Sequence, residues 1–342
     1  MTVKNVMVNS VVVLISLLIP ITIFELYIAY QSKNYQTLSK HSQIYNVIRH
    51  NYVRHSVNII QMSDDCARYD QQLTYTLKPG KCLFENLEFS TRYNINSVGL
   101  RDDERSLNAP DIITLGDSYA MGWGVEQDET FSDLIERNIA YRVLNAGISS
   151  YGTARQVGLL SRLDKTRLKY IIWQYSENDF AENRAYVNNN FNLNISTRED
   201  YEKIKARVQK RKYSLFMYFG RFMKQITQQI SGVELYSEFR NTNDEEITYL
   251  LKTIQNANLP ESVKIILFEI SGPEYLNNGF ADRLKDNLEK KEFMALKKQI
   301  IIMDVKDILN KDQDYFMIDT HINRLGHHKI SSHLIHIINS HY

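Results

Sequence analysis

The stretch "DIITLGDSYAMGWGV" (residues 111–125) predicts a buried strand that ends on a serine. Its apolar and β-branched residues run directly into a Gly-Asp-Ser tripeptide, in which Gly116 permits a tight turn and Ser118 faces the next segment. The following helix is predicted to begin near Asp128 or Thr130, because either residue can cap it.

A serine beside unpaired backbone N–H groups can attack a carbonyl carbon and have the resulting negative charge held nearby. The alternative is a turn serine that only caps the backbone or contacts water. The tripeptide alone does not decide between these two interpretations, so the rest of the sequence has to.

Short apolar runs alternate with amphipathic helical segments after residue 111. The runs are "YRVLNAG" (residues 141–147), "YIIWQYS" (170–176), "VKIILFEI" (263–270) and "KKQIIIMDV" (297–305). Such runs, separated by helices, are typical of a parallel sheet covered on both faces. We therefore predict an α/β fold, a three-layer α/β/α sandwich with a mainly parallel five-stranded sheet, whose functional groups gather at the carboxyl ends of the strands.

The chain is predicted to have three parts. Residues 1–30 form an N-terminal anchor, residues 31–108 a lead-in with a strand pair around residues 82–100, and residues 109–342 the α/β domain. The connection at about residues 181–250 is too long for a simple loop, so we expect a helical insertion there.

The N-terminus has the composition of a membrane helix. Residues 5–24 contain no charged side chain, and at about 1.5 Å per residue such a helix just spans a hydrocarbon layer of about 30 Å. We predict an uncleaved single-pass transmembrane helix, with a cleaved signal peptide as the alternative. The preferred topology puts the remaining chain on the periplasmic, extracytoplasmic side of the cytoplasmic membrane.

Cysteine usage favours the same compartment. The two cysteines, Cys66 and Cys82, are close in sequence and lie just after the predicted anchor. This spacing favours a disulfide formed in an oxidising compartment. Two free thiols in a cytosolic protein are the alternative.

Charge argues against nucleic acid as a partner. The 342 residues hold 41 Lys and Arg against 40 Asp and Glu, a net charge of +1, whereas a duplex-binding protein is usually strongly basic. The basic run "KARVQKRK" (residues 205–212) is interpreted as a solvated helix face, with contact to phosphates or lipid headgroups as the alternative.

Three further stretches follow predicted strands or precede the last helix. They are "LNAGISSYGT" (residues 144–153), "WQYSENDF" (173–180) and "MIDTHINRLGHHKI" (317–330). With the Gly-Asp-Ser turn they resemble the SGNH (GDSL-type) hydrolase superfamily, whose four blocks supply a Ser, a Gly, an Asn and a late Asp/His pair in that order. The lead-in "LTYTLKPGKC…FSTRYNINSVGLRDDE" (residues 73–104) is similar to the segment before the serine block in membrane-anchored bacterial members.

The resemblance implies a flavodoxin-like SGNH fold, a catalytic triad and an oxyanion hole. Ser118 would be the nucleophile, His321 its base and Asp319 the acid that orients the imidazole. The backbone N–H groups of Ser118 and Gly147 and the side-chain amide of Asn178 would hold the oxyanion. This chemistry requires neither a metal nor a cofactor.

Two departures from the family pattern are visible. Ser176 stands where the third block usually has glycine, and Ile318 occupies the position, three before His321, where the acid usually lies. Asp319 lies two residues before His321, so it reaches the imidazole only if the backbone bends. Otherwise a backbone carbonyl orients His321.

Four histidines crowd the last predicted helix and raise the question of a metal. Their spacing is mixed, and cysteine or acidic partners are absent from this sequence cluster, so we interpret them as residues of polar helix faces rather than zinc ligands. They are His327, His328, His333 and His336.

The expected function is that of a serine esterase. It would cleave an O-acyl ester, most simply an O-acetyl ester, on an envelope glycan or lipid through an acyl-enzyme. The first alternative is an O-acyltransferase that modifies an extracytoplasmic polysaccharide with the same residues. The second is a non-catalytic envelope binding or assembly protein.

Overall fold

The computed structural model describes residues 3–40, 42–209, 215–231 and 244–341, which divide into two compact units. The first unit draws on Met1–Val57, Lys210–Glu238 and Met317–Asp319, and the second on Asn58–Gln209, Phe239–Phe316 and Thr320–Tyr342. This division runs differently from the predicted boundaries at residues 30 and 108, which stay predictions.

The α-helices of the described residues are α1 (Val3–Lys33), α2 (Gln43–Asn51), α3 (Ser118–Met121), α4 (Phe131–Asn138), α5 (Thr153–Leu160), α6 (Phe180–Asn188), α7 (Arg198–Gln209), α8 (Met217–Ile230), α9 (Asp244–Gln255), α10 (Phe280–Leu288), α11 (Met294–Lys297) and α12 (Arg324–Ser340). The strands are β1 (Ala67–Asp70), β2 (Thr74–Leu77), β3 (Gly80–Glu85), β4 (Ser90–Ile95), β5 (Ile112–Leu115), β6 (Val143–Asn145), β7 (Tyr170–Tyr175), β8 (Lys264–Glu269) and β9 (Ile300–Ile302).

The first unit is helical. In α1, the segment Val8–Lys33 contains an 18-residue stretch with a mean hydropathy of 2.5, and it is long and apolar enough to cross a membrane. The Glu25 carboxylate accepts hydrogen bonds from the backbone N–H groups of Tyr218 and Phe219, at 3.1 and 2.9 Å, and so caps the start of α8. Phe24 packs on the same helix, with its ring centroid 5.1 Å from that of Phe222.

The second unit contains the predicted parallel sheet. Its five strands run in the order β6-β5-β7-β8-β9, and every neighbouring pair is parallel. In this doubly wound order, β6 is added on one side of β5 and the later strands on the other side. The strand order therefore reverses beside β5, and such a point favours a crevice at the carboxyl ends of the strands. The predicted α/β fold is confirmed.

Both faces of the sheet are covered. Alternate strand residues such as Ile113 and Trp173 face a core that includes residues of α5, α9 and α10, while Ile112 and Ile172 face a core that includes residues of α4 and α12. Because all these side chains are almost fully buried, the strands read as continuous apolar runs in the sequence.

Two antiparallel pairs, β1 with β2 and β3 with β4, lie in the second unit, and the pair predicted around residues 82–100 is confirmed as β3–β4. Cys66 and Cys82 form the expected disulfide. The expected insertion at about residues 181–250 carries α6, α7 and α8 and the start of α9, apart from residues 210–214 and 232–243, which lie outside the described residues.

The basic run at residues 205–212 is described as far as residue 209. There the Lys205 ammonium pairs with Asp64 and lies 3.3 Å from Glu202, and its side chain is only 12% exposed. This lysine is therefore an ion-pair partner rather than a solvated charge.

Candidate active site

The Gly-Asp-Ser turn joins β5 directly to a short helix. Helix α3 begins at Ser118, and the Asp117 carboxylate caps it by accepting a hydrogen bond of 2.9 Å from the Tyr119 N–H. Helix α3 was not predicted from the sequence. The predicted helix is the next one, α4, which begins at Phe131 with Thr130 as its cap; the Thr130 hydroxyl oxygen lies 3.3 Å from the Asp133 N–H.

Close packing explains the glycine in the turn. A Cβ atom on Gly116 would lie 2.4 Å from Gln174 Oε1 and 2.6 Å from Ala120 Cβ, and neither distance is sterically allowed. The same Gln174 oxygen accepts a hydrogen bond of 3.0 Å from the Asp117 N–H. Strand β7 therefore fixes the backbone that precedes Ser118.

Ser118 and His321 meet although they lie 203 residues apart in the chain. The distance between Ser118 Oγ and His321 Nε2 is 2.7 Å, a short hydrogen bond. Backbone bonds frame His321: Phe316 N–H donates to the His321 carbonyl at 3.0 Å, and Tyr315 and Ile322 form a β-bridge. The hydroxyl and the imidazole are thus held in the geometry that proton transfer requires.

Two aromatic rings lie against the imidazole. The Trp123 ring stacks on it, with centroids 4.7 Å apart and planes 18° from parallel, and the Tyr119 ring centroid lies 4.8 Å away. Trp123 and Tyr119 are both nearly fully buried. An electron-rich aromatic face attracts a cation that is held above it.

Asp319 is buried, with 3% of its surface exposed. It lies in the first unit, where its Oδ2 accepts a hydrogen bond of 3.3 Å from the Tyr52 hydroxyl. Tyr52 belongs to a π-helical turn that continues α2. The role of Asp319 toward His321 stays a prediction.

Gly147 follows the end of β6 and lies against α3, the helix that begins at Ser118. Its N–H donates to Asn145 Oδ1 at 3.0 Å, and the Asn145 N–H donates to the Asp102 carboxylate at 2.7 Å. In this arrangement the Gly147 amide has a partner, so it can bind an oxyanion only by sharing or exchanging that partner.

Asn178 lies in a single 3₁₀ turn, Glu177–Asp179, directly after β7, and is exposed. Its neighbour Asp179 is buried and accepts hydrogen bonds from the N–H and the hydroxyl of Thr153, at 3.0 and 2.8 Å. These bonds anchor the turn that presents the Asn178 side chain.

Two buried carboxyl groups shape the electrostatics of the site. Burial raises the pKa of Asp117, against the opposing attraction of His321. Burial also raises the pKa of Asp179, and the nearby Asp117 raises it further. Both carboxyl groups therefore keep their protons to a higher pH than exposed carboxyl groups do.

The four histidines of α12 differ in burial. Within the described ranges no group of three His, Cys, Asp or Glu side chains could hold a metal ion. The interpretation as polar-face residues fits the exposed His328, His333 and His336, but it is wrong for His327. That residue is fully buried, its Nδ1 accepts a hydrogen bond from Phe131 N–H at 3.2 Å, and burial lowers its pKa to about 3, so it is a neutral core histidine.

Sequence reasoning missed Trp123 and Arg101, which both belong to the surroundings of the site. Two sequence features could have drawn attention to them: Trp123 lies between two glycines shortly after Ser118, and Arg101 ends the segment "NSVGLR" (residues 96–101). Neither signal assigns a contact, because the partners of both residues are distant in the chain.

Among solved structures, this chain is similar to hydrolases of the GDSL and SGNH type. A member of the lipolytic protein G-D-S-L family from Veillonella parvula DSM 2008 is 13% identical, with 67% of this chain and 97% of that chain covered and a TM-score of 0.39. A carbohydrate esterase, whose active site is described as having divergent catalytic and non-catalytic binding functions, is 13% identical, with 67% and 64% covered and a TM-score of 0.38.

A third solved structure, AlinE4, described as an SGNH-hydrolase family esterase, is 15% identical, with 68% of this chain and 96% of that chain covered and a TM-score of 0.31. No family model and no curated protein matches the chain. These identities and TM-scores are too low to assign chemistry, which has to come from the residues of this chain.

Proposed function

We propose that the chain is a serine esterase of the SGNH type, which cleaves O-acyl esters through an acyl-enzyme. The observation that carries the proposal is the 2.7 Å contact between Ser118 Oγ and His321 Nε2. The buried Ser118 hydroxyl lies at the start of a helix and contacts an imidazole from a distant part of the chain. These are the two groups that nucleophilic catalysis needs.

In the first half of the reaction, Ser118 Oγ attacks the ester carbonyl carbon while His321 Nε2 takes the hydroxyl proton. The carbonyl π electrons move to oxygen and form a tetrahedral oxyanion. When the oxyanion collapses, the bond to the alcohol oxygen breaks and the alcohol leaves with the proton from His321. Water then repeats the sequence on the acyl-enzyme and releases the carboxylic acid and the free Ser118.

Oxyanion stabilisation is assigned to three donors. The Ser118 N–H is at the first position of α3, where a helix provides no internal acceptor. The Gly147 N–H and the Asn178 amide are proposed as the other two donors. For Gly147 the proposal includes a change of partner, because its N–H donates to Asn145 in the free protein.

Asp319 is proposed to orient His321 and to stabilise its cationic form. Three observations support this role: the residue lies two positions before His321, it is buried, and the Tyr52 hydroxyl donates to its carboxylate. A buried carboxylate held by a hydrogen bond is suited to stabilise a nearby imidazolium.

The proposed substrate is an O-acyl, most simply O-acetyl, ester of an envelope glycan or lipid. Support comes from α1, whose apolar segment Val8–Lys33 is long enough to anchor the chain in the cytoplasmic membrane. The Cys66–Cys82 disulfide supports an extracytoplasmic location for the second unit, because oxidising compartments preserve disulfides.

The test uses the full chain in detergent micelles. Wild type, Ser118→Ala and His321→Ala are compared for labelling by a serine-directed fluorophosphonate and for hydrolysis of p-nitrophenyl acetate. We expect labelling and turnover in the wild type and loss of both in Ser118→Ala and His321→Ala. Ser150→Ala is the matched control, because the Ser150 hydroxyl contacts Gln61 and lies outside the proposed machinery.

Equal labelling and turnover in the wild type, Ser118→Ala and His321→Ala would refute the esterase and leave the binding or assembly protein. An acyl-enzyme that forms with the ester, persists in water and is resolved only after an oligosaccharide is added would instead identify the O-acyltransferase. Mass spectrometry of the Ser118 peptide distinguishes these results.

A further inference from the structure

The segment "NSVGLRD" (residues 96–102) forms a tight turn directly before Arg101, whose side chain contacts the carbonyl groups of residues 121–125. Asn96 closes the turn: its N–H donates to the Leu100 carbonyl and its side-chain oxygen accepts the Leu100 N–H, at 2.9 and 3.0 Å. Gly99 has a φ of +88°, and a Cβ atom there would lie 2.6 Å from the Leu77 carbonyl oxygen. The turn therefore requires glycine, and it fixes the direction of Arg101.

Arg101 is fully buried, and two nitrogens of its guanidinium donate hydrogen bonds to backbone carbonyl groups. It donates to the carbonyl oxygens of Met121 (3.2 Å), Gly122 and Val125 (2.6 Å), and it lies 3.9 Å above the centre of the Tyr93 ring. Burying a guanidinium is costly, and a fold that needed only packing would use an apolar side chain. Because this buried cation binds three carbonyl groups of one loop, we infer that it serves to hold the loop in one conformation.

The loop that Arg101 holds, residues 121–125, follows α3 and has an unusual backbone. Gly122 and Gly124 have φ values of +87° and +74°. Strand β4 also holds the loop: the Tyr93 hydroxyl accepts the Gly124 N–H at 3.0 Å, and the Thr91 hydroxyl donates to the Gly124 carbonyl at 3.1 Å. The conformation is thus imposed by contacts from outside the loop.

The product of this conformation is the position of Trp123. The backbone N–H of Trp123 donates to the Ser118 carbonyl at 3.0 Å. The Trp123 ring stacks on His321, whose Nε2 contacts Ser118 Oγ. A continuous chain of contacts therefore runs from the Arg101 guanidinium through the loop and the indole to the proposed base.

We propose that Arg101, assisted by Tyr93, is a positioning residue for the reaction: it fixes the loop at residues 121–125 so that Trp123 stacks on His321 and stabilises the imidazolium during proton transfer. The kinetic consequence rests on the proposed esterase. The stacking of Trp123 on His321 can be measured whether or not the protein is an esterase.

The kinetic test compares Arg101→Lys with Arg283→Lys in the full chain. Arg283 is also largely buried, with 16% of its side chain exposed, and pairs with Glu246 away from the proposed machinery, so its variant controls for loss of a buried guanidinium. Fluorophosphonate titration counts competent enzyme, and kcat is given per labelled molecule. We expect kcat of Arg101→Lys to fall by about tenfold with KM nearly unchanged, and no such fall in Arg283→Lys.

A double-mutant cycle tests whether Arg101 acts through the indole. Trp123→Leu removes the stacking, so Arg101→Lys should add little to the loss of kcat that Trp123→Leu already causes. If the two losses multiply instead, Arg101 does not act through Trp123 and the proposal is overturned.

Fluorescence supplies a readout that is independent of activity. The chain has two tryptophans, Trp123 and Trp173, so in a Trp173→Phe background the emission reports on Trp123 alone. His321 stacks on this indole, so His321→Ala should change the Trp123 emission at constant pH, and the size of that change is called the amplitude.

Arg101→Lys should reduce this amplitude by at least about twofold, because the indole is no longer held against the imidazole. If amplitude and kcat both match those of Arg283→Lys, the proposal is wrong. If Arg101→Lys does not fold, Tyr93→Phe, which removes the hydroxyl contact to Gly124, takes its place with the same expected directions and the same refuting outcome. Wild type without turnover or labelling would refute the esterase, while the amplitude would still decide the role of Arg101.

Discussion

The backbone of Gly147 lies directly against the backbone of Met121. A Cβ atom on Gly147 would be 2.4 Å from the Met121 nitrogen and 2.7 Å from the carbonyl carbon of Ala120. Because these atoms belong to the main chain of α3, no side-chain rotation can relieve the contact. The helix that begins with Ser118 can therefore pack on the end of β6 only where that strand end has no side chain.

Gly147→Ala should consequently lower both stability and turnover. Overpacking of this kind costs about 1–3 kcal/mol, and the displaced α3 would move Ser118 Oγ away from His321. Thermal unfolding and ester hydrolysis of the full chain measure the two effects. Gly220→Ala is the matched control, since no atom lies within 4 Å of its added Cβ, and it should retain stability and activity. An unchanged melting temperature for Gly147→Ala would contradict the argument.

Asp319→Asn should reduce kcat by a factor on the order of 10⁴, with little change in KM, if Asp319 orients His321 and stabilises the imidazolium. Asp314→Asn serves as the control, because Asp314 is equally buried but its carboxylate pairs with Lys329. Steady-state kinetics per labelled enzyme give the comparison. Nearly normal turnover in Asp319→Asn would show that another group, such as a backbone carbonyl, orients the imidazole.

Asn178→Ala should lower kcat about a hundred- to a thousandfold, because one of the three proposed oxyanion donors is lost. Since Asn178 is exposed in a surface turn, the melting temperature should stay close to that of the wild type. Asn138→Ala, at an exposed position on α4, is the control for removing an amide. A loss of less than about tenfold in Asn178→Ala would exclude the amide from the oxyanion hole.

The contact between Ser118 and His321 was predictable from the sequence because each residue is tied to a local pattern. The apolar run before Gly116 predicts the strand end at Ser118, and four blocks in a fixed order single out His321. The short helix α3 was not predictable from periodicity, since its four residues are too few to show one. Its position depends instead on contacts from Gln174 and Gly147, which come from other strands.

The first unit shows the limit of sequence reasoning more clearly. Its core joins Ile28, Tyr45 and Ile48 to Ile318, a residue far along the chain. Local hydrophobic patterns identify the helices but carry no information on which distant segment packs against them. The contact of Tyr52 with Asp319 and the burial of Arg101 are unpredictable for the same reason: each depends on long-range packing.

Loss of the disulfide should destabilise the second unit. Cys66 and Cys82 are 16 residues apart, and closing a loop of this size is worth about 3 kcal/mol in the chain-entropy model. Cys66→Ser with Cys82→Ser should therefore melt at a lower temperature than the oxidised wild type, and wild type treated with reductant should approach the double variant. Two alkylatable thiols in protein isolated from cells would contradict both the disulfide and the extracytoplasmic topology.

Glu269, at the end of β8, should make stability fall as the pH rises. Burial raises its pKa from 4.5 to about 8, although Asn278 and Ser271 donate hydrogen bonds to its carboxyl group. Between these values the folded protein binds a proton at Glu269 that the unfolded chain has released. The free energy of unfolding therefore decreases as the pH rises through this range.

Glu269→Gln removes this titration, so its melting temperature should fall less than that of the wild type between about pH 5 and about pH 8. Other buried carboxyl groups, such as Asp102, whose pKa burial raises to about 7, contribute equally to both proteins and cancel in the comparison. Glu261→Gln changes an exposed carboxyl group and should follow the wild type. Melting temperatures that fall equally with pH in Glu269→Gln and the wild type would show that Glu269 is already ionised in the folded protein. Only a proton retained at the Glu269 carboxyl group can make the melting temperature of the wild type fall more steeply.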